Sequence, residues 1–378
     1  MNNVTLTKRN IFIRWSNTGE LYLFNPNTGL FFGVSREDSE QVFLYLNNQI
    51  DHLDEPYHRI FESNPCTNSN LLPSRECWGD VIYPEDPLLL NWLITRNCNN
   101  NCTYCYAFDL MEYERNNKRK EIEISDESEL SEIINNILSY NPLAVVISGG
   151  EPTLHQNLQF IINNLVGKTG IIIDTNGSQL NTQLLEYLKS KNVLIRVSLD
   201  SLHHLTNNKI RKKKKEFKNC ISDVESALYA INYCIEQSIP IIVQTVVTTT
   251  NFNDLYDMGY RLSVLGLKIW RLLKIVPVKK AIEEGNVPDK NNEVYINETL
   301  SNLQKSLYNK MKLMITENDN ENALATILID SEGVFLIESI EQKKKHVIDR
   351  VHPKKPSIKI LWEMANRKFH YFKYLEVK

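Results

Sequence analysis

Short apolar runs alternate with amphipathic stretches from residue 88 to residue 273. The apolar runs are rich in Ile, Val and Leu, and the stretches between them carry apolar residues at helical spacing. Strands are predicted at residues 88–94, 144–148, 170–175, 194–198, 241–248 and 268–273. Alternating strands and helices predict an α/β fold with a parallel sheet, and this pattern is compatible with either an open sheet or a barrel.

The first 64 residues have a different pattern. Three strand-like runs at residues 10–15, 21–25 and 30–33 are separated by segments rich in Asn, Gly and Pro, which is typical of turns. Ser35 is predicted to begin a helix, because Asp38 follows three residues later as in a capping box. A second helix is predicted at residues 56–63, and the Pro-, Asn- and Ser-rich segment 64–87 is predicted to be a linker.

The last hundred residues are less regular. A helix is predicted at residues 293–315, followed by a hairpin formed by 326–330 and 334–339. A basic stretch at 346–359 precedes a final helix that is predicted to begin near Leu361. No cysteine follows Cys234 in the sequence.

Composition narrows the class of protein. The chain has 378 residues, which favours two or three domains, and its 42% hydrophobic and 24% charged residues are ordinary for a soluble globular protein. A net charge of −3 gives no sign of nucleic-acid binding. No apolar signal region or membrane-length apolar run occurs, so a cytoplasmic location without membrane attachment is expected. The seven cysteines are then expected to be thiols or metal ligands rather than disulfides.

Three of these cysteines, Cys98, Cys102 and Cys105, have the spacing C-x3-C-x2-C directly after the first predicted strand. Three thiolates on an iron–sulfur cube leave one iron open for a substrate or cofactor. A zinc site is the alternative interpretation. Zinc usually takes four ligands from paired knuckles, and no second knuckle lies nearby in the sequence.

Three further elements follow in order: Ile-Ser-Gly-Gly-Glu-Pro-Thr at 147–153, Asp-Thr-Asn-Gly at 174–177 and Val-Ser-Leu-Asp at 197–200. Together with the cysteine spacing, they resemble the motifs of the radical S-adenosylmethionine (SAM) superfamily. The resemblance implies a partial (β/α)6 TIM-like barrel, with ligands bound at the carboxyl ends of its strands.

The resemblance also implies cofactors and roles for individual residues. Cys98, Cys102 and Cys105 would hold a [4Fe–4S] cluster, and SAM would bind its open iron and be cleaved to a 5′-deoxyadenosyl radical that abstracts hydrogen. Glu151 would accept hydrogen bonds from the SAM ammonium. The further cofactor contacts that it implies are Gly149 and Gly150, which allow close backbone approach, Tyr104 near the adenine, and Asn176, Ser198 and Asp200 at the ribose or carboxylate. Each of the last three is also a residue type that is common in turns and caps.

The front module resembles the PqqD-like recognition element of peptide-modifying systems, through residues 24–29 and the helix that opens at Ser35. In that family, a precursor's leader peptide adds a strand to the sheet. The alternative is a small winged-helix-like or dimerisation module with an α+β fold. The predicted organisation is therefore a recognition module at 1–64, a linker at 65–87, a radical SAM core at 88–275 and an α+β extension at 276–378.

Four cysteines lie outside the triad. Cys220 and Cys234 share one helical face with apolar residues, which favours buried core thiols. The alternative is that Cys220 or Cys234 donates a hydrogen atom to a substrate radical. Cys66 and Cys77 could join Cys220 and Cys234 around an auxiliary cluster, although their separation in sequence does not favour this arrangement. The extension lacks the cysteines that bind auxiliary clusters in many peptide-modifying relatives, which favours a redox-neutral epimerisation over crosslinking.

The basic run at residues 211–215 is expected to be solvated surface, with an acidic precursor peptide as a weaker interpretation. The leading hypothesis is a radical SAM maturase that acts on a ribosomally made precursor peptide and takes electrons from an external one-electron donor. The alternatives are a radical SAM enzyme that acts on a small molecule or folded protein, and a non-catalytic iron–sulfur or zinc protein.

Overall fold

The computed structural model describes residues 3–54, 57–62, 88–105, 107, 124–217, 222–316, 326–331, 334–338 and 346–350. Within them, the central sheet has ten strands: β5 (Leu89–Thr95), β6 (Ala144–Gly149), β7 (Gly170–Thr175), β8 (Leu194–Ser198), β9 (Ile241–Val247), β10 (Ile269–Lys274), β11 (Lys312–Thr316), β12 (Thr326–Ile329), β13 (Val334–Glu338) and β14 (His346–Arg350). Their order in the sheet is β11-β10-β9-β8-β7-β6-β5-β12-β13-β14, and the first eight strands in this order are parallel.

Helices connect the parallel strands and cover one face of the sheet. They are α3 (Glu127–Ser139), α4 (Leu158–Leu165), α5 (Thr182–Ser190), α6 (His204–Ile210), α7 (Asp223–Glu236), α8 (Leu255–Leu265), α9 (Lys279–Glu283) and α10 (Lys290–Ser306). This is the predicted α/β fold, and it has the parallel sheet of a partial barrel.

Strand residues alternate between two apolar layers, as the period of two requires. Val145 and Ile147 pack with the helices in the larger core, whereas Ala144 and Val146 face the opposite side. The helix-covered side is called the outer face here, and the opposite side the inner face. Because strands β5 to β9 are mostly buried, their sequences read as continuous apolar runs.

The N-terminal module is an antiparallel sheet with strand order β1-β2-β3-β4 and two helices. Its strands are β1 (Thr5–Leu6), β2 (Phe12–Trp15), β3 (Leu21–Asn25) and β4 (Leu30–Val34), and its helices are α1 (Arg36–Leu46) and α2 (Tyr57–Glu62). Three of these strands were predicted, and β1 is additional. Ser35 caps α1 and its Oγ donates to Asp38 Oδ2 at 2.8 Å, as the capping pattern predicts.

The two faces of this small sheet have different partners. Ile13, Leu23 and Phe32 pack against α1 and α2, whereas Phe12, Tyr22 and Phe24 pack against the inner face of the central sheet. The contacted residues of the central sheet lie at or near the amino ends of its strands: Ala144, Ile172, Leu194, Ile242 and Ile269. The module therefore forms the floor of the partial barrel.

Phe24 and Arg14 fix this floor in place. Phe24 is fully buried, its ring lies 4.6 Å from that of Phe31, and a Cβ atom at Gly170 would lie only 2.4 Å from it. Arg14 Nη1 donates to the carbonyl oxygens of Tyr140 and Asn141 at 3.2 and 2.8 Å, directly after α3. A cation at this position also interacts favourably with the helix dipole.

The C-terminal region differs in part from the prediction. The helix predicted at 293–315 ends at Ser306, and Lys312–Thr316 instead forms β11, because this segment pairs in parallel with β10. The predicted hairpin is present as β12 and β13, and β12 also pairs with β5. Residues 346–350, predicted only as a basic stretch, form β14. The predicted linker and the helix predicted from Leu361 lie outside the described residues. No helix in the described ranges is both long enough and apolar enough to cross a bilayer.

We expect Phe24→Ala to lower the free energy of unfolding by about 3–5 kcal/mol, because it removes a fully buried ring from the floor of the barrel. Chemical denaturation of the metal-free protein measures this change. Leu6→Ala is the control, since Leu6 lies on the short edge strand and is 43% exposed. It should change the free energy by less than about 0.5 kcal/mol. Equal effects of the two substitutions would contradict the packing of the module against the barrel.

Candidate active site

The loop that follows β5 carries Cys98, Cys102 and Cys105, all free and partly buried. This loop, residues 96–105, is called the cysteine loop here. It lies at the carboxyl end of the first barrel strand, where ligands bind in parallel α/β folds. The backbone N–H of Asn100 donates to Cys98 Sγ at 3.4 Å, so a charged sulfur at this position would have a donor.

Burial affects the protonation of two of the three thiols. Burial raises the pKa of Cys98 to about 11 and that of Cys102 to about 12, so without metal both thiols keep their protons at neutral pH. Across the described ranges, no three Cys, His, Asp or Glu side chains are grouped so that they could hold one metal ion. In a [4Fe–4S] cube each thiolate would bind a different iron, so three thiols fit such a cluster with one iron left open.

The glycine loop, residues 149–151, docks directly on the cysteine loop. The N–H groups of Gly150 and Glu151 donate to the carbonyl oxygens of Thr95 and Asn97, both at 2.7 Å. A Cβ atom on Gly150 would lie 2.2 Å from the Asn97 oxygen, and one on Gly149, where φ is +145°, would lie 2.4 Å from the Thr95 oxygen. The sequence predicted that these glycines allow a close approach to SAM. In the structure they allow the close approach of the cysteine loop.

Glu151 is buried and connects the glycine loop to the end of β7. Its Oε1 accepts from Thr153 N–H at 3.1 Å and from the hydroxyls of Thr153 and Thr175, both at 2.6 Å, and its Oε2 accepts from Asn176 N–H at 2.7 Å. Burial raises the pKa of Glu151, while these hydrogen bonds oppose the rise. Oε2 accepts only one of the four bonds, so it is the oxygen with capacity for a further donor.

Asn176 links the loop after β7 to the cysteine loop through a closed ring of three hydrogen bonds. Its Nδ2 donates to Asn99 Oδ1 at 2.7 Å, Asn99 Nδ2 donates to Ser178 Oγ at 2.7 Å, and Ser178 N–H donates back to Asn176 Oδ1 at 2.9 Å. Asn99 lies between the first two cysteines of the motif. Its partner Ser178 is distant in sequence, so no local pattern predicts the contact.

Tyr104 and Asp200, both predicted as cofactor contacts, are bonded to each other. Tyr104 Oη donates to Asp200 Oδ2 at 2.6 Å, and Arg211 Nη1 donates to Tyr104 Oη at 2.7 Å and to Asp200 Oδ2 at 3.3 Å. Asp200 Oδ1 accepts from Val246 N–H at 2.9 Å. Burial raises the pKa of Tyr104 well above its usual value, so its hydroxyl remains a donor. Direct contact of either residue with a cofactor stays a prediction.

Residues 210–214, called the basic strap here, run antiparallel to the cysteine loop. Asn101 N–H donates to the Lys212 carbonyl at 2.6 Å, and Lys214 N–H donates to the Asn99 carbonyl at 3.0 Å. Thr103 N–H donates to the Ile210 carbonyl at 2.9 Å. The charged run therefore holds the loop that carries the cysteines.

Two basic side chains of the strap are turned inward, so the expectation of solvated surface is wrong for them. Arg211 is 5% exposed, and Lys213 Nζ lies 3.4 Å from Oδ1 of the buried Asp223. Asn100 Nδ2 donates to the other oxygen of Asp223 at 2.7 Å, so this carboxylate connects the strap, the loop and α7. Nothing in the local sequence distinguishes the inward from the outward members of the run.

A belt of polar side chains lies on the inner face, above the apolar floor. Arg196 Nε and Nη2 donate to Asp174 at 2.5 and 2.9 Å, Gln244 Nε2 donates to Asp174 at 3.2 Å, and Arg271 Nη1 donates to Gln244 Oε1 at 3.1 Å. Burial, with Arg196 nearby, lowers the pKa of Arg271 to about 10. Ser198, a predicted cofactor contact, is paired in register with Gln244 at the top of this belt.

The belt was missed at the sequence level, although its signal is present. Each belt residue on β7 to β10 stands two positions after an apolar residue of the floor, as in the pairs Ile172–Asp174, Leu194–Arg196, Ile242–Gln244 and Ile269–Arg271. A period of two places both members on the same face. Polar residues at these inward positions mark where the apolar floor ends and the polar interior begins.

The structure places Cys234 away from these groups. It is fully buried in the core on the outer face, near the end of α7 that leads into the amino end of β9, and burial raises its pKa to about 12. This placement favours the first interpretation, a packed core thiol, over the alternative of a hydrogen donor. Cys220, Cys66 and Cys77 lie outside the described residues.

We expect Gly150→Ala to lower the free energy of unfolding by about 1–3 kcal/mol and to reduce iron uptake, because its Cβ would separate the two loops. Denaturation and iron analysis after reconstitution measure the two effects. Gly33→Ala is the control, since a Cβ there would lie 3.5 Å from Tyr22 at ordinary contact distance. If Gly150→Ala took up as much iron as Gly33→Ala, the glycine would not be required for docking.

Asp200→Asn should cost about 3 kcal/mol or more of stability, because it leaves the buried Arg211 guanidinium without its charged partner. Thermal or chemical unfolding would show the loss. Glu283→Gln, which breaks an exposed pair with Lys279, should cost less than about 1 kcal/mol. A similar small effect at Asp200 would mean that the ion pair does not hold the cysteine loop.

Comparisons of the sequence with known proteins identify a matching family and several relatives. Residues 92–258 match the family model described as the Radical SAM superfamily. A curated relative named S-adenosylmethionine-dependent nucleotide dehydratase from Flammeovirga pacifica is 24% identical over 68% of this chain and 83% of its own length. The Sporulation killing factor maturation protein SkfB from Bacillus subtilis is 21% identical over 67% of this chain and 62% of its own length.

Solved structures show the same fold over most of the chain. Streptococcus suis SuiB bound to its precursor peptide SuiA has a TM-score of 0.62 at 12% identity, covering 98% of this chain and 89% of SuiB. The structure described as native anSMEcpe with bound AdoMet and Kp18Cys peptide has a TM-score of 0.57 at 15% identity, covering 76% of this chain and 83% of that one. The family match assigns a radical SAM domain to residues 92–258 of this chain.

Proposed function

We propose that the protein is a radical SAM maturase that modifies a ribosomally made precursor peptide. The observation that carries the proposal is the docking of the cysteine loop on the glycine loop at the carboxyl ends of β5 and β6, with three thiols and Glu151 together at one edge of the sheet. Cys98, Cys102 and Cys105 are the proposed ligands of a [4Fe–4S] cluster. When bound, the cluster supplies the electron that cleaves SAM and so starts hydrogen abstraction from the substrate.

The chain's own residues provide binding and orientation. Glu151 Oε2 is the proposed acceptor for the SAM ammonium, since its other hydrogen bonds already fix the carboxylate. Asn176 and Ser198 stand at the ends of neighbouring strands, β7 and β8, and are proposed to contact the rest of SAM. Tyr104 and Asp200 are proposed to act mainly by holding the cysteine loop against Arg211.

A peptide substrate is supported by the front module and by its resemblance to leader-binding elements. Strand β4 is an edge of the small sheet, and among the described residues no further strand pairs with it. An extended leader peptide would add to this edge through backbone hydrogen bonds. Three of the similar proteins, SuiB, anSMEcpe and SkfB, carry names that refer to bound peptides or to maturation of a killing factor.

The choice between epimerising and crosslinking the peptide depends on how many iron–sulfur clusters are available to accept electrons. No cysteine follows Cys234, so the C-terminal extension offers no thiol ligands for a further cluster. A redox-neutral epimerisation is therefore favoured over a crosslink, which must dispose of electrons. Because Cys234 lies on the outer face, Cys220 is the remaining proposed hydrogen donor.

The second candidate is a radical SAM enzyme that acts on a small molecule. The similarity to the nucleotide dehydratase favours it, since the match extends over 83% of that protein. In that case the front module has only the structural role of closing the barrel floor.

The reconstituted protein should contain roughly four irons per chain and produce 5′-deoxyadenosine from SAM under a strong reductant. Cys102→Ala should lose at least most of this activity, because it removes one of the three proposed ligands. Cys234→Ala is the matched control, since that thiol lies in the core on the other face of the sheet. Chromatography measures the product. If wild type and Cys102→Ala alike gave no 5′-deoxyadenosine, the enzyme proposal would be overturned.

A synthetic peptide encoded by a short reading frame beside the gene should bind the full-length protein through β4. Leu30→Lys, which alters the half-buried start of this edge, should weaken binding at least tenfold, whereas Leu6→Lys on the opposite edge should not. Calorimetry of the full chain measures both affinities. If the peptide binds and Leu30→Lys leaves its affinity unchanged, strand addition at β4 is wrong.

A further inference from the structure

Helix α9 brings one ammonium group to the cysteine loop. Lys280 Nζ donates to Asn101 Oδ1 at 2.5 Å, and Asn101 directly precedes Cys102. Lys280 is partly buried there, whereas its neighbour Lys279 is 73% exposed and pairs loosely with Glu283 at 3.9 Å. The two adjacent lysines therefore have different environments on the same short helix.

From this placement we infer that Lys280 is a positioning residue whose positive charge makes the cluster at Cys98, Cys102 and Cys105 easier to reduce. The inference rests on the proposed function, because it requires a cluster at these cysteines. It extends that function by assigning a role to a residue outside the four sequence motifs. No motif or periodicity of the sequence marks Lys280.

The physical argument is the change in charge on reduction. One electron passes from an external one-electron reductant to the cluster, and with no proton taken up the cluster becomes more negative by one charge. A fixed cation nearby stabilises the reduced form more than the oxidised form, and partial burial reduces the screening of this attraction by water. The midpoint potential is therefore expected to be higher with the cation than without it.

The electrostatic environment of Lys280 supports this reading. Burial lowers the pKa of Lys280, whereas thiolates at Cys105 and Cys102, the form that binds a cluster, would raise it. Because Asn101, the acceptor of the Lys280 ammonium, directly precedes Cys102, a cluster held at these cysteines would lie close to this positive charge. The other charges beside it, Lys212 and Glu284, form an ion pair at 2.8 Å and largely offset each other.

Arg211 is a second cation close to the cysteines, but its removal would not isolate the effect. Its guanidinium bonds Tyr104 and Asp200, so a substitution there would also release the cysteine loop. The hydrogen bond from Lys280 to Asn101 Oδ1 requires a donor but no positive charge, so a neutral donor can replace it. The charge of Lys280 and this hydrogen bond are therefore separable by substitution.

The experiment compares full-length wild type, Lys280→Gln, Lys280→Arg and Lys279→Gln after cluster reconstitution. Lys280→Gln keeps a hydrogen-bond donor for Asn101 but removes the charge, and Lys280→Arg keeps both. Iron content is measured first, and the midpoint potential is then determined by potentiometric titration followed by electron paramagnetic resonance. We expect all four proteins to hold the same iron, and only Lys280→Gln to shift its potential to a more negative value.

Three results would overturn the inference, and each has a different meaning. If all four proteins hold equal iron and Lys280→Gln has the potential of Lys279→Gln, the charge of Lys280 does not act on the cluster, while the proposed function stands. If wild type takes up no iron–sulfur cluster, the proposed function fails and the inference fails with it. A shift of equal size in Lys280→Arg and Lys280→Gln would show that side-chain shape rather than charge is responsible.

Discussion

The backbone contact between the cysteine loop and the glycine loop is the constraint on which the rest of the site depends. Two N–H groups of the glycine loop donate to the carbonyl oxygens of Thr95, the last residue of β5, and Asn97 in the cysteine loop, and side chains at Gly149 or Gly150 would prevent this contact. Because this contact fixes the backbone of Glu151, it also directs that carboxylate to the end of β7. Because neighbouring strands end side by side, the polar groups that follow them lie in the same order along one edge of the sheet.

Charge balance around the cysteines is the second feature that holds the site together. The cations Arg211 and Lys213 point inward against the buried carboxylates Asp200 and Asp223, each of which also binds a residue of the cysteine loop. Buried ion pairs of this kind lend little net stability, but breaking one is costly. Their value here is therefore in geometry, since they fix the loop in one position relative to α6 and α7.

Much of the fold and part of the site were predictable from the sequence. The apolar runs predicted the parallel strands because these are buried on both faces, and the turn segments predicted the hairpins of the front module. The segment 312–316 was mistaken for helix because its apolar spacing fits both states, and only its pairing with β10 decides between them. The motifs located the cysteine and glycine loops. The partners Asn99–Ser178 and Lys213–Asp223 were unpredictable, since they join residues that only the folded chain brings together.

The position of the N-terminal module sets a minimum spacing between the leader and the modified residue of the proposed peptide. Its sheet contacts the amino ends of the barrel strands, whereas the cysteine loop lies at their carboxyl ends. Strand β5 alone has seven residues, which at about 3.3 Å each separates the two ends by roughly 23 Å. A chain held at the floor and reacting at the mouth must bridge this distance in extended form. The spacing between leader and modified residue would therefore have a lower limit of about seven residues, fixed by the height of the barrel.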